Sequence, residues 1–348
     1  GFQDDRNVET SCSTLSDRML SVVLSLAAER QWRPRTADVT AAFLQGEEFE
    51  SEEESVWMEI PPLIRDLQSN TYNEKWIRLR KPVYGLKDAP RAWQISFFRV
   101  LREKGFIQCP LDTSLWILPR KGCQPPAPFR EVVCKTKSTT IDSVIDACAN
   151  EEVPLCYAIH GAIGVHVDDT IAVGDEYFFE IFKEMLAHYK TSVDDAEERF
   201  RFCGRDFEIT NDDNGKFAIQ SSMSSYISAM KPIDVEEMTQ YYRSGKKLNA
   251  ARHLQSHNPY RGRVGELGWI AKERADIMYG LSSLASQSCA SEKPAWAEEN
   301  ELYLTRVNDM ITYLKKTNEF CRTWRWSGCK DNDRRVVSFV DAGIHEGT

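Results

Sequence analysis

The 348-residue chain has ten cysteines but no C-x-x-C pair, which excludes a zinc ribbon or knuckle of the usual spacing. The cysteines are scattered through a large chain, so a disulfide scaffold is excluded as well and reduced thiols are expected. No apolar run approaches the roughly 20 residues that span a bilayer. The longest one near the start, Met19 to Ala28, is interrupted by Ser21 and Ser25. Only scattered Arg6 and Arg18 precede it or flank it, with Asp17 among them, which is a poor secretory leader. A soluble intracellular protein without a membrane partner is the expectation. There is no internal repeat. Nor is there an excess of positive charge: the net charge is −9, which as an average argues against a nucleic-acid partner.

What is present is charge in blocks. Gln45 to Glu59 holds seven Glu and no Lys or Arg, whereas Lys75 to Lys104 holds nine Lys or Arg against Asp88 and Glu103. A basic stripe of this kind is either a solvated helix face or the footprint of a phosphate backbone. Hydrophobic residues make up 42% of the chain, enough for a sizeable core.

Periodicity places the elements. Helical spacing runs over Ser16 to Glu29, with Ser13 or Ser16 as the cap. Trp32 to Thr40 is extended, Glu47 to Glu54 an acidic loop, and Trp76 to Arg80 alternates as a strand. Ala89 to Gly105 reads as a helix with Trp93, Phe97, Val100 and Leu101 on one side. The Pro-rich stretch from Pro119 to Pro154 reads as a surface insertion with one weak helix near Ile141 to Ala149. Ala162 to Val167 and Ile171 to Val173 are strands around an Asp168-Asp169 corner. A helix carries Phe178, Ile181, Phe182, Met185, Leu186 and Tyr189 on one face. Phe200 to Ile209 and Lys216 to Ile219 read as the arms of a hairpin around Asn211 to Gly215. Helical periods dominate from Ser221, through Val264 to Ile270, Ile277 to Leu284 and Trp296 to Leu314. Arg335 to Val340 returns to a strand. The fold class is α+β: an antiparallel sheet with helices, followed by a helical unit.

Three aspartates stand where phosphoryl-transfer chemistry needs them. Such chemistry requires cations that hold the attacking oxygen, the leaving oxygen and the triphosphate in line. Mg²⁺ takes oxygen ligands, so a few carboxylates on rigid strand ends suffice. Asp38 ends an extended segment before the small residues Thr40-Ala41-Ala42. Asp168 and Asp169 occupy a tight corner between apolar strands. Read alone, an Asp-Asp corner is more often an ordinary solvated turn. Phe43 alone reads as a core aromatic.

Taken together, these segments resemble copia-type retrotransposon reverse transcriptases. Asp38-Val-Thr-Ala-Ala-Phe-Leu-Gln-Gly46 is similar to the family's D-V-x-x-A-F-L-x-G. The fifteen residues from Leu79 to Trp93 are similar to L-x-K-x-L-Y-G-L-K-Q-A-P-R-A-W. Val165-His-Val-Asp-Asp169 resembles the Y-V-D-D box, and Phe202 to Ile209 the F-L-G-x-x-I segment. Tyr260-Arg-x-x-Val-Gly-x-Leu and Arg274-Ala-Asp-Ile277 resemble two motifs further on. Order and spacing match over nearly the whole chain.

The resemblance implies a right-hand polymerase. Residues 1–118 would be fingers and the first part of the palm, and 119–156 an insertion or loop. Residues 157–232 would be palm with the Asp-Asp hairpin and a primer-grip-like hairpin, and 233–334 a helical thumb and connection. Residues 335–348 would be the truncated start of a ribonuclease H domain. Asp38, Asp168 and Asp169 would hold two Mg²⁺ ions, with Mn²⁺ as a substitute. Val39, Phe43, Gly85, Lys87, Pro90 and Arg91 would contact the deoxynucleoside triphosphate, Phe43 excluding a 2′-hydroxyl. His166, Val167, Phe202 and Gly204 would meet the primer, and the basic stripe the RNA or DNA template-primer. Asp341 would be the first ribonuclease H ligand, but with the later carboxylates missing no such activity is expected. Gly1-Phe2 resembles the tail of the family's K-A-R-L-V-x-x-G-F segment, whose basic residues would lie before the first residue of this chain. Integrase and ribonuclease H parts of the same polyprotein are the implied partners, and a virus-like particle or the nucleus the implied location. Four departures stand out: His166 for Tyr, Asp88 for Gln, Ala275 for Pro, and the long 119–154 insertion. His166, Asp88 and the absent fingers segment keep open an alternative, a decayed, inactive copy that at most binds nucleic acid.

Overall fold

In a computed structural model of the chain, the described residues are 8–49, 56–60, 75–120, 159–194, 198–211, 213, 215–234, 238, 258–289, 291 and 301–328. The insertion, its weak helix near Ile141 to Ala149, most of the acidic loop, the strand at Arg335 to Val340, and Asp341 lie outside them.

Helix α1 (Asp17–Arg30) begins where the Ser16 side chain accepts the Met19 N–H, and ends at Gln31 in the left-handed region. Strand β1 (Arg35–Val39) leads into a one-turn helix, α2 (Ala42–Gln45). Strands β2 (Val56–Glu59) and β3 (Trp76–Leu79) form a separate ribbon. Helix α3 (Ala89–Glu103) starts with Pro90 in its first turn, where a missing N–H costs nothing. Then come β4 (Ile107–Gln108), β5 (Leu115–Pro119), β6 (Ile159–His166), β7 (Asp169–Gly174), α4 (Glu176–Leu186) and β8 (Thr191–Asp194). These strands and β1 make one antiparallel sheet in the order β4-β5-β6-β7-β1-β8. The order puts β1 between β7 and β8, so Asp38 meets the Asp168-Asp169 corner from a distant part of the chain.

Side chains alternate across the sheet. Ile163, Val165 and Ala172 face α3 and α4, packing with Trp93, Phe97, Leu101, Phe178, Phe182 and Met185. Ala162, Ile171 and Val173 face the other way, onto Leu20, Val23, Leu24, Ala27 and Ala28 of α1. Paired Gly161 and Gly174 let the Phe178 ring lie directly on the backbone; a Cβ at either position would collide with that ring.

A second sheet covers the far side of α1, in the order β12-β11-β10-β9. Its strands are β9 (Arg199–Phe202), β10 (Arg205–Asn211), β11 (Phe217–Ser222) and β12 (Arg322–Trp324). Two expectations are corrected here. Phe200 to Ile209 is not one arm but two strands, folded at Cys203-Gly204, both with positive φ (48° and 71°). Two such residues in a two-residue loop make a type I′ hairpin turn, and Cys-Gly is an uncommon pair for it. The helical reading of 233–334 also fails at β12, three residues too short to show a period.

The helices α5 (Ser224–Ala229), α6 (Pro259–Ile270), α7 (Met278–Ala285) and α8 (Glu301–Lys316) share a third core around Tyr260, Leu267, Ile270, Val307 and Leu314. A charge cluster with a buried Arg205–Glu273 pair at its centre ties this unit to the rest. Arg205, 2% exposed, lies 3.0 Å from Glu273 and also pairs with Asp17, while Lys272 reaches Asp17 at 3.2 Å. Ser221 donates to Glu273 at 2.6 Å. No helix among the described residues is long and apolar enough to cross a membrane.

Candidate active site

Strand register brings the aspartates together. Asp38 on β1 is the direct cross-strand partner of Asp169 on β7, so their side chains share a sheet face. Asp169 in turn pairs with His166 across the end of the β6–β7 hairpin, leaving Val167-Asp168 as a two-residue loop. The Asp168 carbonyl accepts the Val39 N–H at 3.1 Å, which extends the β1 pairing into the loop.

The loop is strained. Val167 has φ 61°, a region that a β-branched residue avoids. In a two-residue hairpin this first position usually holds Gly. The indole N–H of Trp93 donates to the Val167 carbonyl at 2.8 Å. Strain of order 1–3 kcal/mol per residue persists only where the surroundings fix it.

The three carboxylates oppose one another. Burial first, then the charges of Asp38 and Asp168, push Asp169 up to about 7, although a Cys203 N–H at 3.4 Å works the other way. Asp38 is raised by desolvation and by Asp168. Cys203 rises to about 12 through burial and then the Asp169 charge, so its thiol is inert at neutral pH. Among the described residues no group of three or more His, Cys, Asp or Glu is arranged to hold a metal ion. The donors nonetheless suit a hard cation in kind: all are carboxylate oxygens, and their mutual repulsion is what a divalent ion relieves.

Around this corner the other expected residues fall into place unevenly. Val39 is buried in the sheet. Phe43 is buried under Tyr84, ring centroids 4.4 Å apart. Gly85 (φ 101°) sits third in the Val83–Leu86 turn, closed by a 3.2 Å bond, where only Gly is comfortable. Lys87 is exposed. Pro90 and Arg91 engage the segment before α1: the Cys12 thiol donates to the Pro90 carbonyl at 3.6 Å, and Arg91 binds Glu9 at 2.6 Å and the Ser11 carbonyl at 3.1 Å. His166 bridges Thr14, its ring edge-on to the buried Phe202 at 6.5 Å. Gly204 lies against Trp269, 3.6 Å from where a Cβ would stand.

Sequence reading missed two residues here. Tyr84 covers Phe43, and the Asp168 and Asp38 charges add to burial in raising its phenol. Gln45 bridges the loop after β1 to Lys190, accepting its N–H at 2.7 Å and donating back to its carbonyl at 3.0 Å. Both lie inside the motifs already quoted, but neither residue type signals a role without the fold.

Comparison with known proteins adds a family match over part of the chain. Residues 4–122 match the family described as reverse transcriptase (RNA-dependent DNA polymerase), a span that includes Asp38, Tyr84 and Trp93. The chain is similar to the "Retrovirus-related Pol polyprotein from transposon RE2" of Arabidopsis thaliana, 26% identical over 319 residues, 89% of this chain and 18% of that protein. It is also similar to the corresponding polyprotein from transposon RE1 of the same plant, 28% identical over 334 residues, 93% of this chain and 20% of that protein. Spans of such length include Asp168 and Asp169 wherever they begin. The chain covers about a fifth of the length of these relatives.

Proposed function

With a reverse transcriptase match over residues 4–122 as the premise, we propose that this chain is the polymerase segment of a copia-type retrotransposon Pol polyprotein, catalysing template-directed DNA synthesis. The observation that carries this reading is the register pairing of Asp38 with Asp169 beside Asp168. Two distant motifs meet at one sheet end, in a polar corner backed by buried strands.

In this reading Asp38, Asp168 and Asp169 hold two Mg²⁺ ions, or Mn²⁺ in their place. Bound ions would activate the primer 3′-hydroxyl and neutralise the triphosphate. The protein's own part is position. The β1–β7 ladder fixes two of the carboxylates, and the Cys203 N–H orients Asp169. Phe43, held by Tyr84, walls the side from which the sugar enters and disfavours a 2′-hydroxyl. Gly85 and Lys87 border the triphosphate, and His166 and the Cys203-Gly204 turn lie towards the primer. The sheet with α3 and α4 serves as palm, the β2–β3 ribbon belongs to the fingers, and α5 to α8 form the thumb and connection. Arg91, engaged with Glu9, braces the segment before α1 and reaches nucleotide only by exchanging that partner. The template-primer runs along the basic stripe, whose local positive charge receives its phosphates despite the negative average charge. Integrase and ribonuclease H parts of a polyprotein are the natural neighbours.

Primer extension tests the proposal, with an RNA template, DNA primer, deoxynucleotides and Mg²⁺. Extension by this chain that vanishes in the Asp168→Asn, Asp169→Asn double variant supports it. Folded protein that extends nothing, with Mg²⁺ or Mn²⁺, supports the second reading, an inactive copy. That reading draws on His166 and Asp88, which stand where the resemblance expects Tyr and Gln.

A further inference from the structure

The Asp168-Asp169 corner depends on a backbone conformation that its own residues disfavour. Val167 at φ 61° carries a branched Cβ where glycine is the usual choice. The Val167 side chain packs on the core, the Val39 N–H holds the Asp168 carbonyl at 3.1 Å, and α3 holds the peptide between them. Trp93 is 1% exposed, and its Nε1–H meets the Val167 carbonyl at 2.8 Å. The indole cannot easily turn away, because Phe97 stacks on it at 5.3 Å and Tyr189 packs edge-on at 5.2 Å. Gly46, after α2, approaches the Trp93 backbone as well. Trp93 therefore meets the end of α2, Tyr189 two residues before β8 and the loop between β6 and β7 that bears Asp168.

We propose that Trp93 is a positioning residue whose indole N–H holds the Val167 carbonyl and so keeps Asp168 and Asp169 aimed at Asp38. The role goes beyond packing: a phenyl ring of similar hydrophobicity fills much of the space but offers no donor. Loss of the N–H leaves a carbonyl without its partner and frees the strained valine to relax. Relaxation at φ of Val167 turns the peptide plane that precedes Asp168, and the carboxylates turn with it. The catalytic consequence rests on the polymerase reading above, but the structural one does not.

Hydrogen exchange separates the two. In Trp93→Phe, amide exchange in the peptide spanning 165–170 rises about tenfold over the unchanged chain, while the α4 amides stay within twofold. Added to Val167→Gly, the same substitution raises exchange less than twofold, because glycine holds a positive φ unaided. Should Trp93→Phe fold poorly, replacing Trp93 by its benzothienyl isostere removes only the N–H and is expected to give the same rise. Unchanged exchange in the isostere, or an equal rise in both backgrounds, overturns the proposal. In primer extension, Trp93→Phe lowers kcat about tenfold with the nucleotide KM within twofold, and the effect again disappears in the Val167→Gly background. Absence of extension by the unsubstituted chain counts against the polymerase reading alone, since exchange still decides the role of Trp93.

Discussion

Replacing Asp169 by Asn should make the metal-free protein more stable at neutral pH, and the gain should disappear in acid. Burial and two neighbouring carboxylates raise Asp169 from an ordinary 3.8 to about 7. The unfolded chain ionises near 3.8, so between that pH and 7 the unfolded state has released a proton that the folded state retains. Stability contributed by the protonated group is therefore complete below about pH 4 and is lost as pH rises through about 7. At 1.36 kcal/mol per pH unit the ceiling is about 4 kcal/mol. Asp169 is only half-buried, and water reaching it reduces this to about 2 kcal/mol. Asparagine keeps an oxygen for the Cys203 N–H but carries no charge, so it escapes the loss. The assay is urea unfolding in EDTA from pH 4 to 8, comparing the chain with Asp169→Asn. The expected difference is near zero at pH 4 and about 2 kcal/mol in favour of the variant at pH 8. Equal stabilities at pH 8, or a difference independent of pH, would refute the claim that its surroundings in the fold raise Asp169.

Three further outcomes are expected. Gly161→Ala drives a Cβ into the Phe178 ring and should cost about 1–3 kcal/mol in urea unfolding, with partial recovery when Phe178→Leu is added. Glu273→Gln leaves Arg205 buried beside a neutral partner and should cost about 3 kcal/mol, read as a drop in Tm; a loss below 0.5 kcal/mol would show that Asp17 alone suffices for Arg205. Phe43→Ala should raise incorporation of ribonucleotides relative to deoxynucleotides at least tenfold in primer extension, and no change would remove Phe43 from the sugar side of the site.

Much of the candidate site was legible because it lies in contiguous motifs. Asp38, Asp168 and Asp169 carry their signal in neighbouring residues: small ones after the first, apolar strands around the other two. The helices Asp17–Arg30 and Ala89–Glu103 follow from spacing, since one buried stripe every 3.6 residues suits no other regular structure. The split of Phe200 to Ile209 did not show, because Cys203 is not a usual turn residue and Phe200, Phe202, Phe207 and Ile209 keep alternating across the turn. Strand β12 did not show because three residues carry no period.

The sequence by itself determined the residue types, the local periods and the order of the motifs, which sufficed for an α+β expectation and for three candidate carboxylates. Only the tertiary structure decided what those carboxylates feel. The pairing of β1 between β7 and β8 is a long-range contact, and it sets Asp38 opposite Asp169. The bond from Trp93 to Val167 joins residues 74 positions apart, and the Arg205–Glu273 pair joins two separate cores. Local propensity acts over a few neighbours. Strain, burial and charge coupling depend on which distant segments the packed core brings together.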